Sequence, residues 1–369
     1  MKICRAFKTE LDPNNEQRTS FVRYCGAARF VYNWALADRI TRYKAGEPTN
    51  LYEQKRRFNA IKDTEFPWIR EVAYVITEEA FRHLDTAYQN FFRRVKIGGP
   101  AGFPKFKSRK NGLGAFTMRG SLHIEANRVK LPRVGWVNLK EDSYLPLDGT
   151  VRLLSITVSE RARRWYASAQ VEMEIPDAQA PDGEPIGVDF GIKSLAVLSN
   201  GVVFENPHTL KNAERKLKRL QREVSRRKPG SHNREKSRRK LAQAHAKVSN
   251  IRAHTVHNIS HYLTAKIKPR AIVIEDLNVS GMTKNHHLAQ AISDVSFSEL
   301  RRQIEYKAAW RGIEVITADR FYPSSKRCSA CGHIKKDLTL SDRIYRCESC
   351  GTVLDRDYNA ARNLAALAS

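Results

Sequence analysis

The sequence predicts a multidomain α/β protein, and three observations support this prediction. Residues 15–114 are mostly helical in pattern, residues 115–180 contain short alternating apolar runs, and residues 181–321 alternate strands with helices. Two Cys-x-x-Cys pairs interrupt the last pattern at 322–352 and predict a small zinc-binding insertion. With 369 residues, the chain has room for two or three domains of about 150 residues each.

The charge balance points to a polyanionic partner. The chain carries 65 Lys and Arg against 39 Asp and Glu, a formal net charge of +26. Such an excess favours nucleic acid, because each phosphate that Lys or Arg neutralises releases a condensed counterion. The alternative is a highly charged, solvated surface. No apolar stretch approaches the roughly 18 residues of a membrane span, and Met1–Arg5 begins no signal peptide, so we expect a cytoplasmic protein without a membrane partner.

The N-terminal half predicts a β-domain interrupted by helices. A strand within 1–14 and the short alternating runs within 115–180 indicate one small β-domain, a barrel. Between them, apolar residues recur at helical spacing in 15–45 and 72–96, and a Gly-, Pro- and Lys-rich linker follows. Phe103–Lys110 in that linker alternates aromatic residues with Lys, a pattern that suits base stacking combined with phosphate pairing.

The C-terminal half has a different element order, beginning after Asp182–Pro185. Three short strands span 186–205, with Asn200-Gly201 as a hairpin turn. A helical pattern follows over 208–265 and is interrupted at Pro229–Ser231. After it come a strand at 271–275, a helix at 297–310, a strand at 313–317 and a closing helix at 358–367. This order is that of a ribonuclease H-like domain, which we predict for 181–321 and 353–369.

The cysteine spacing is the most specific motif. Cys328, Cys331, Cys347 and Cys350 match the spacing of a four-cysteine zinc ribbon, with Gly332 and Gly351 permitting the turn after each pair. Thiolates suit tetrahedral Zn²⁺, and a closed four-cysteine site is structural, without an open position for catalysis. The other two cysteines, Cys4 and Cys25, lack partners at ligand spacing, and we expect them to be small buried residues.

A second constellation consists of carboxylates where apolar strands end. Asp189 follows Ile186–Val188, Glu275 ends Ala271–Glu275, and Asp355 and Asp357 open the last helix. Several buried carboxylates in one place would repel one another unless a divalent cation compensates, and Mg²⁺ (or Mn²⁺) prefers hard oxygen ligands.

Each carboxylate also has a simpler interpretation: a strand-end turn for Asp189, a solvated strand terminus for Glu275, and a helix cap for Asp355 or Asp357. Of the last two we favour Asp357 as the metal ligand and Asp355 as the cap.

Basic residues concentrate in one helical region. Lys211 to Lys247 contains fifteen Lys or Arg and three Glu. The predicted apolar seam of this region consists of Leu217, Leu220, Val224, Leu241, Val248 and Ile251. This pattern predicts a helical hairpin that presents cations to a phosphate backbone, although a solvated face is the ordinary alternative. His286-His287 has no ligand partner at useful spacing, and we interpret it as a solvated loop.

These residues together resemble the TnpB family, transposon-encoded RNA-guided DNA endonucleases regarded as ancestral to type V CRISPR effectors. The resemblance covers nearly the whole chain. The segments that carry it, in family order, are Gly102–Ser108 (GFPKFKS), Val129–Trp136 (VKLPRVGW), Gly187–Ser194 (GVDFGIKS), Ile274–Asn278 (IEDLN), Tyr322–Gly332 (YPSSKRCSACG) and Asp355–Ala361 (DRDYNAA).

The resemblance implies a RuvC-type nuclease, split along the chain, whose metal-binding triad carries over to Asp189, Glu275 and Asp357. It also implies a wedge-like barrel (1–14 and 115–180), a helical recognition lobe with linker (15–114) and a zinc ribbon that binds target nucleic acid (322–352). The implied partners are a guide RNA derived from the transposon end and double-stranded target DNA beside a short transposon-adjacent motif.

Two other functions remain open: a nuclease-inactive RNA-guided DNA-binding repressor, and a protein-guided transposase or resolvase. The chain ends about a dozen residues after Asp357, without the longer tail of some relatives, and we expect no loss of cutting from this.

Overall fold

The computed structural model describes residues 1–146, 151–339 and 341–368, apart from the side chains of Asn111 and His287. Small parts of the predicted ranges 115–180, 322–352 and 353–369 therefore lie outside the described residues. The chain divides into two compact units, Met1–Pro176 and Asp177–Ser369. None of the helices in the described ranges combines the length and the apolar character needed to cross a bilayer.

The first unit combines three helices with one antiparallel sheet. Its elements are β1 (Lys2–Asp12), α1 (Asn15–Lys44), α2 (Leu51–Glu65), α3 (Tyr74–Lys96), β2 (Ala115–Met118), β3 (His123–Ile124), β4 (Arg128–Leu131), β5 (Gly135–Leu139), β6 (Arg152–Arg161) and β7 (Arg164–Glu174). The strand order is β2-β6-β7-β1-β5-β4-β3, so β1 pairs with both β7 and β5. The N-terminal strand thus belongs to the same sheet as the strands from 115–174, whereas closure into a barrel remains a prediction.

The sequence prediction did not include α2. Leu51–Glu65 is mostly charged, and its buried residues are Gln54 and Phe58, too few for a clear apolar period. A local signal was present nonetheless, because Asn50 and Glu53 form a capping box at the start of the helix.

The second unit contains a five-stranded mixed sheet and most of the remaining helices. Its elements are β8 (Ile186–Asp189), β9 (Ser194–Leu198), β10 (Val203–Glu205), α4 (Thr209–Arg226), α5 (His232–His261), β11 (Ala271–Glu275), α6 (Val279–Met282), α7 (His286–Val295), α8 (Phe297–Ala309), β12 (Glu314–Ala318), β13 (Ile344–Arg346), β14 (Val353–Asp355) and α9 (Arg356–Ala365). The sheet order is β10-β9-β8-β11-β12. β11 runs parallel to both β8 and β12, while β8, β9 and β10 form an antiparallel meander.

The two faces of this sheet are covered by different helices. Ile186, Val188, Ile272 and Ile274 share one hydrophobic core with residues of α5 and α8. The alternate positions point the other way, where Val273 packs with Leu364 of α9. Because side chains alternate along a strand, Asp189 and Glu275 belong to the α9 face of the sheet.

One local prediction is wrong. His286-His287 was expected in a solvated loop, but α7 begins at His286. The helix is held by tertiary packing, since Ile292 and Val295, three residues apart, are both buried in the core under the sheet.

Candidate functional site

Three carboxylates approach one another at one end of the second unit's sheet. Asp189 is the last residue of β8 and Glu275 the last of β11, and the parallel pairing of Val188 with Ile274 sets them side by side. Asp357 lies in the first turn of α9, the helix that covers this face. The fold therefore collects side chains from three separate chain segments at the carboxyl end of two parallel strands, where sites of open α/β sheets form.

A glycine allows α9 to lie directly on β8. A Cβ added at Gly187 would be 2.0 Å from the carbonyl oxygen of Ala361 and 2.4 Å from the amide nitrogen of Ala365. Only hydrogen fits in that space, so Gly187 permits the backbone-to-backbone approach of strand and helix. Asp189, two residues along the same face, is consequently brought under the start of α9.

The electrostatics of this cluster are those of carboxylates that repel. Burial raises the pKa of Asp189 well above its usual range, and the charges of Glu275 and Asp357 raise it further. Burial also raises the pKa of Glu275, with a smaller upward contribution from Asp357. A hydrogen bond opposes this shift: the hydroxyl of Ser324 donates to Glu275 Oε1 at 2.7 Å.

The charge partners of Asp357 are arginines. Arg356 donates to Asp357 Oδ1 from Nε at 3.1 Å and from Nη2 at 3.0 Å, and Arg343 Nη1 lies 3.9 Å from Oδ2. Asp355, by contrast, caps α9, because its Oδ1 accepts from the backbone N–H groups of Asp357 and Tyr358. The expectation that Asp355 is the cap is confirmed.

The neighbouring acidic residue, Asp276, has other partners. It pairs with Arg301 at 3.3 Å and with Arg320, and these contacts lower its pKa. Asp276 is therefore a charge-paired residue beside the carboxylate cluster, and it offers a control for the effect of removing a carboxylate.

The four predicted zinc ligands meet at one point. Cys328 Sγ lies 3.7 Å from Cys350 Sγ, and Cys331 Sγ lies 3.6 Å from Cys347 Sγ. A tetrahedron of sulfurs with Zn–S bonds of about 2.3 Å has edges of about 3.8 Å, so the spacing fits zinc. Within the described residues, this is the one set of three or more His, Cys, Asp or Glu donors that all lie within 4.8 Å of one another.

The two knuckles have the expected turn geometry. Gly332 and Gly351 have positive φ, and their N–H groups donate to the carbonyls of Cys328 and Cys347. The six cysteines are free thiols. Of the other two, Cys25 is buried as expected, but the prediction for Cys4 is wrong, because it occupies an exposed position of β1.

The sequence prediction missed the residues that attach the ribbon to α9. Asn359 and Asn363 lie one turn apart on α9 and are 0% and 3% exposed. Both donate from Nδ2 to the carbonyl of Arg327, at 2.7 and 2.6 Å, and Asn363 also donates to the carbonyl of Ser324 at 2.8 Å. Asparagine at four-residue spacing inside an Ala-rich helix was the available signal, since buried amides require partners.

The basic hairpin is present as predicted. Of the predicted apolar seam, Leu217, Leu220 and Val248 are buried and Val224 and Leu241 are partly buried, but the prediction is wrong for Ile251, which is 36% exposed. An open groove of about 840 Å³ along α4 is lined mainly by cations, namely Arg215, Lys218, Arg219, Arg222 and Arg226. The positive side chains thus form a continuous stripe on one helix face, which we call the α4 stripe.

The aromatic-basic linker is more engaged than its sequence suggests. Phe103 packs edge-on against Tyr88 and Phe91, and Lys107 Nζ lies 3.9 Å from the ring centroid of Tyr32. Phe106 remains 56% exposed. Phe103 and Lys107 therefore contribute ring contacts within the first unit, although Phe103 is still 47% exposed, and Phe106 is the more exposed of the two aromatic rings in this segment.

Family models match three parts of the chain. A model described as "Probable transposase" matches residues 168–286, one described as "Cas12f1-like, TNB domain" matches 297–364, and one described as "Helix-turn-helix domain" matches 1–48. The last description does not agree with the fold, because residues 1–48 form β1 and the single long helix α1.

Relatives match over nearly the full length. A Streptomyces pristinaespiralis protein named "Putative RNA-guided DNA endonuclease" is 37% identical, over 99% of this chain and 89% of its own. The Escherichia coli K12 protein of the same description, InsQ, is 35% identical over 99% and 92%. Among solved structures, the Cas12f1–sgRNA–target DNA complex matches with a TM-score of 0.57 at 14% identity, over 99% of both chains, which indicates a shared fold. With these matches, the chain belongs to the TnpB family of RNA-guided nucleases.

Proposed function

We propose that this chain is an RNA-guided DNA endonuclease that hydrolyses phosphodiester bonds with a RuvC-like, ribonuclease H-like site. The observation that carries the proposal is the buried cluster of Asp189, Glu275 and Asp357 at the carboxyl ends of β8 and β11. The pKa values of Asp189 and Glu275 are raised, and carboxylates with raised pKa values that come from distant segments are typical of a catalytic site. The names of the full-length relatives support the same function.

The donor set of the cluster fits a hard divalent cation. Its members offer carboxylate oxygens, and the mutual repulsion of Asp189, Glu275 and Asp357 would be relieved by a double positive charge. Mg²⁺ or Mn²⁺, when bound there, would supply charge stabilisation to the phosphodiester and activation of water at neutral pH.

The protein residues have separate tasks around this chemistry. Asp189 and Glu275, fixed at strand ends, would hold the cation, and Asp357 would contribute a third carboxylate from α9. Burial against α9 limits the access of water. Arg356 and Arg343 would compensate charge beside Asp357.

The partners proposed are a guide RNA derived from the transposon end and target DNA beside a short transposon-adjacent motif. The net charge of +26 and the α4 stripe support nucleic-acid binding through phosphates. By the family resemblance, residues 1–14 and 115–180 form a wedge-like barrel, 15–114 a recognition lobe, and 322–352 a ribbon that contacts the target nucleic acid. Cys328, Cys331, Cys347 and Cys350 would hold a structural Zn²⁺.

A second candidate is a protein-guided transposase, which the description "Probable transposase" favours. The two functions differ in whether an RNA is required. If the protein is RNA-guided, it should copurify with RNA of defined sequence from its transposon end, and ribonuclease treatment should abolish target binding. A transposase would bind its DNA after the same treatment.

The central experiment is cleavage of a plasmid target in Mg²⁺ by protein produced together with its flanking transposon-end RNA. Asp189→Ala should reduce guide-dependent cleavage by about 10³-fold or more, because it removes a ligand of the whole catalytic unit. The matched control is Asp276→Asn. This variant removes the carboxylate of the residue after Glu275, and in the wild type that Asp276 carboxylate is paired with Arg301 and Arg320. If wild type and Asp189→Ala bind the matched target and neither cuts it, the chain is an RNA-guided repressor instead.

A further inference from the structure

A continuous path of hydrogen bonds joins the first cysteine knuckle to the carboxylate cluster. Arg327, the residue before Cys328, accepts from Asn363 Nδ2 at 2.6 Å. The same Nδ2 group donates to the carbonyl of Ser324 at 2.8 Å, and the hydroxyl of Ser324 donates to Glu275 Oε1 at 2.7 Å. One side chain of α9 thus holds both ends of the turn that lies between the ribbon and Glu275.

This turn is held at several other points. The N–H of Arg327 donates to the carbonyl of Pro323 at 3.0 Å, which closes the turn on itself. Asn359 fixes the same knuckle from both sides, since its Nδ2 donates to Arg327 and its Oδ1 accepts from the N–H of Ser329. The hydroxyl of Tyr322 donates to the carbonyl of Asn363 at 3.1 Å, so α9 and the segment before the knuckle hold each other reciprocally.

Burial makes these bonds sensitive to position. Ser324, Asn359 and Asn363 are 6%, 0% and 3% exposed, so solvent cannot readily replace a partner that moves away. A carboxylate at a strand end retains freedom about its side-chain torsions, and Ser324 removes part of it by fixing one oxygen of Glu275. Partners of this kind orient a metal ligand without touching the metal.

We propose that Ser324 and Asn363 are positioning residues for Glu275, through which the first cysteine knuckle sets that carboxylate for divalent-cation binding. Ser324 acts on Glu275 directly, and Asn363 acts through Ser324. The four-cysteine ribbon therefore helps to fix the orientation of the Glu275 carboxylate, in addition to any contact with nucleic acid. The cleavage part of the test rests on the proposed function, whereas the cation-binding part does not.

The first measurement is Mn²⁺ binding to the purified full-length chain, free of nucleic acid, followed by electron paramagnetic resonance. Asp189→Asn defines the background from other sites. After this background is subtracted, Ser324→Ala should bind Mn²⁺ about tenfold more weakly than the wild type. Loss of a residue that orients a metal ligand usually has an effect of this size. Ser324→Thr keeps the hydroxyl and should restore the affinity. Ser325→Ala is the matched control, because within the described residues the hydroxyl bonded to Glu275 is that of Ser324.

The second measurement is a double-mutant cycle. Asn363→Ala should weaken Mn²⁺ binding although the hydrogen bonds of the Asn363 amide go to Ser324 and Arg327. The double variant with Ser324→Ala should bind Mn²⁺ no more weakly than the weaker-binding single variant. The free-energy effects of two substitutions on one path of contacts are non-additive. Two substitutions that damage the structure independently would instead multiply their fold-losses of affinity. Zinc content and melting temperature of each variant identify loss of fold; if Asn363→Ala fails to fold, the Ser324 variants carry the test alone.

In guided cleavage, Ser324→Ala should raise the Mg²⁺ concentration for half-maximal rate by about tenfold and leave the rate at saturating Mg²⁺ within about twofold. The proposal is overturned if Ser324→Ala leaves the Mn²⁺ affinity unchanged. It is also overturned if the loss of affinity in the double variant equals the product of the losses in the two single variants. Failure of the wild type to cleave any guided target would instead count against the proposed function and leave the Mn²⁺ result standing.

Discussion

Gly187 of β8 and Ala361 of α9 are in backbone contact, so close that a Cβ on Gly187 would lie 2.0 Å from the carbonyl oxygen of Ala361. Because backbone atoms of a packed helix cannot rotate away, this contact sets the height of α9 above the sheet. Asp357 is carried on the same helix, one turn before Ala361, so its approach to Asp189 and Glu275 depends on this glycine.

Gly187→Ala should therefore impair both stability and cleavage. The added methyl group must push α9 away from β8, at a cost of about 1–3 kcal/mol or more in the free energy of unfolding. Urea denaturation of the full chain measures the change. Gly26→Ala is the control, since nothing lies within 4 Å of a Cβ at Gly26 and alanine favours its helix. Equal stability of the two variants would show that α9 adjusts freely.

Zinc binding should depend on the ribbon cysteines. Metal analysis of the purified chain should find about one zinc per molecule, and Cys347→Ser should reduce it, because a four-cysteine site needs each of its thiolates. Cys4→Ser, which changes an exposed thiol elsewhere, should leave the zinc content unchanged. A folded chain free of zinc would be incompatible with the ribbon assignment.

Asp189 should lower the stability of the cation-free protein at neutral pH. Its pKa in the folded chain is raised well above the value of about 3.9 for an unfolded aspartate, so between the two values the folded state binds the extra proton. Its contribution to stability is thus full below pH of about 3.9 and is lost as pH rises through the raised pKa.

Asp189→Asn removes this titration. Without added divalent cation, we expect a higher melting temperature than wild type at neutral pH and a flatter dependence on pH. Thermal melts across pH measure both. A variant that melts below the wild type throughout the range would contradict the repulsion described for the cluster.

The α4 stripe should supply affinity for nucleic acid through phosphates. Two of its cations are reversed in the variant Arg219→Glu with Arg222→Glu, which should bind RNA more weakly. The slope of log K against log salt concentration should become shallower by about one for each phosphate contact that is lost. Filter binding over a range of salt concentrations measures both quantities.

The control makes the same change in charge with Arg70→Glu and Arg302→Glu, two arginines outside the hairpin that are already paired with Asp63 and Glu299. Equal loss of affinity in both double variants would mean that net charge matters and that the position of the stripe does not.

Short-range patterns carried most of what could be predicted. Strand-ending Asp189 and Glu275 were recognisable because an apolar run that stops at a carboxylate is a local feature. The cap at Asp355 was predictable for the same reason, since it is satisfied within three residues. Helix α2 was missed because its two buried residues are too few to give an apolar period of their own. Helix α7 was also missed as a whole, although its buried Ile292 and Val295 recur at helical spacing.

By itself, the sequence determined the ligand types, the charge, the order of elements and the family, because these depend on residue identity and local spacing. Tertiary structure alone decided how these parts meet. The bond from Ser324 to Glu275 spans 49 residues and that from Asn363 to Ser324 spans 39. No local pattern encodes such pairs, because they follow from which sheet face α9 covers and how closely Gly187 lets it approach.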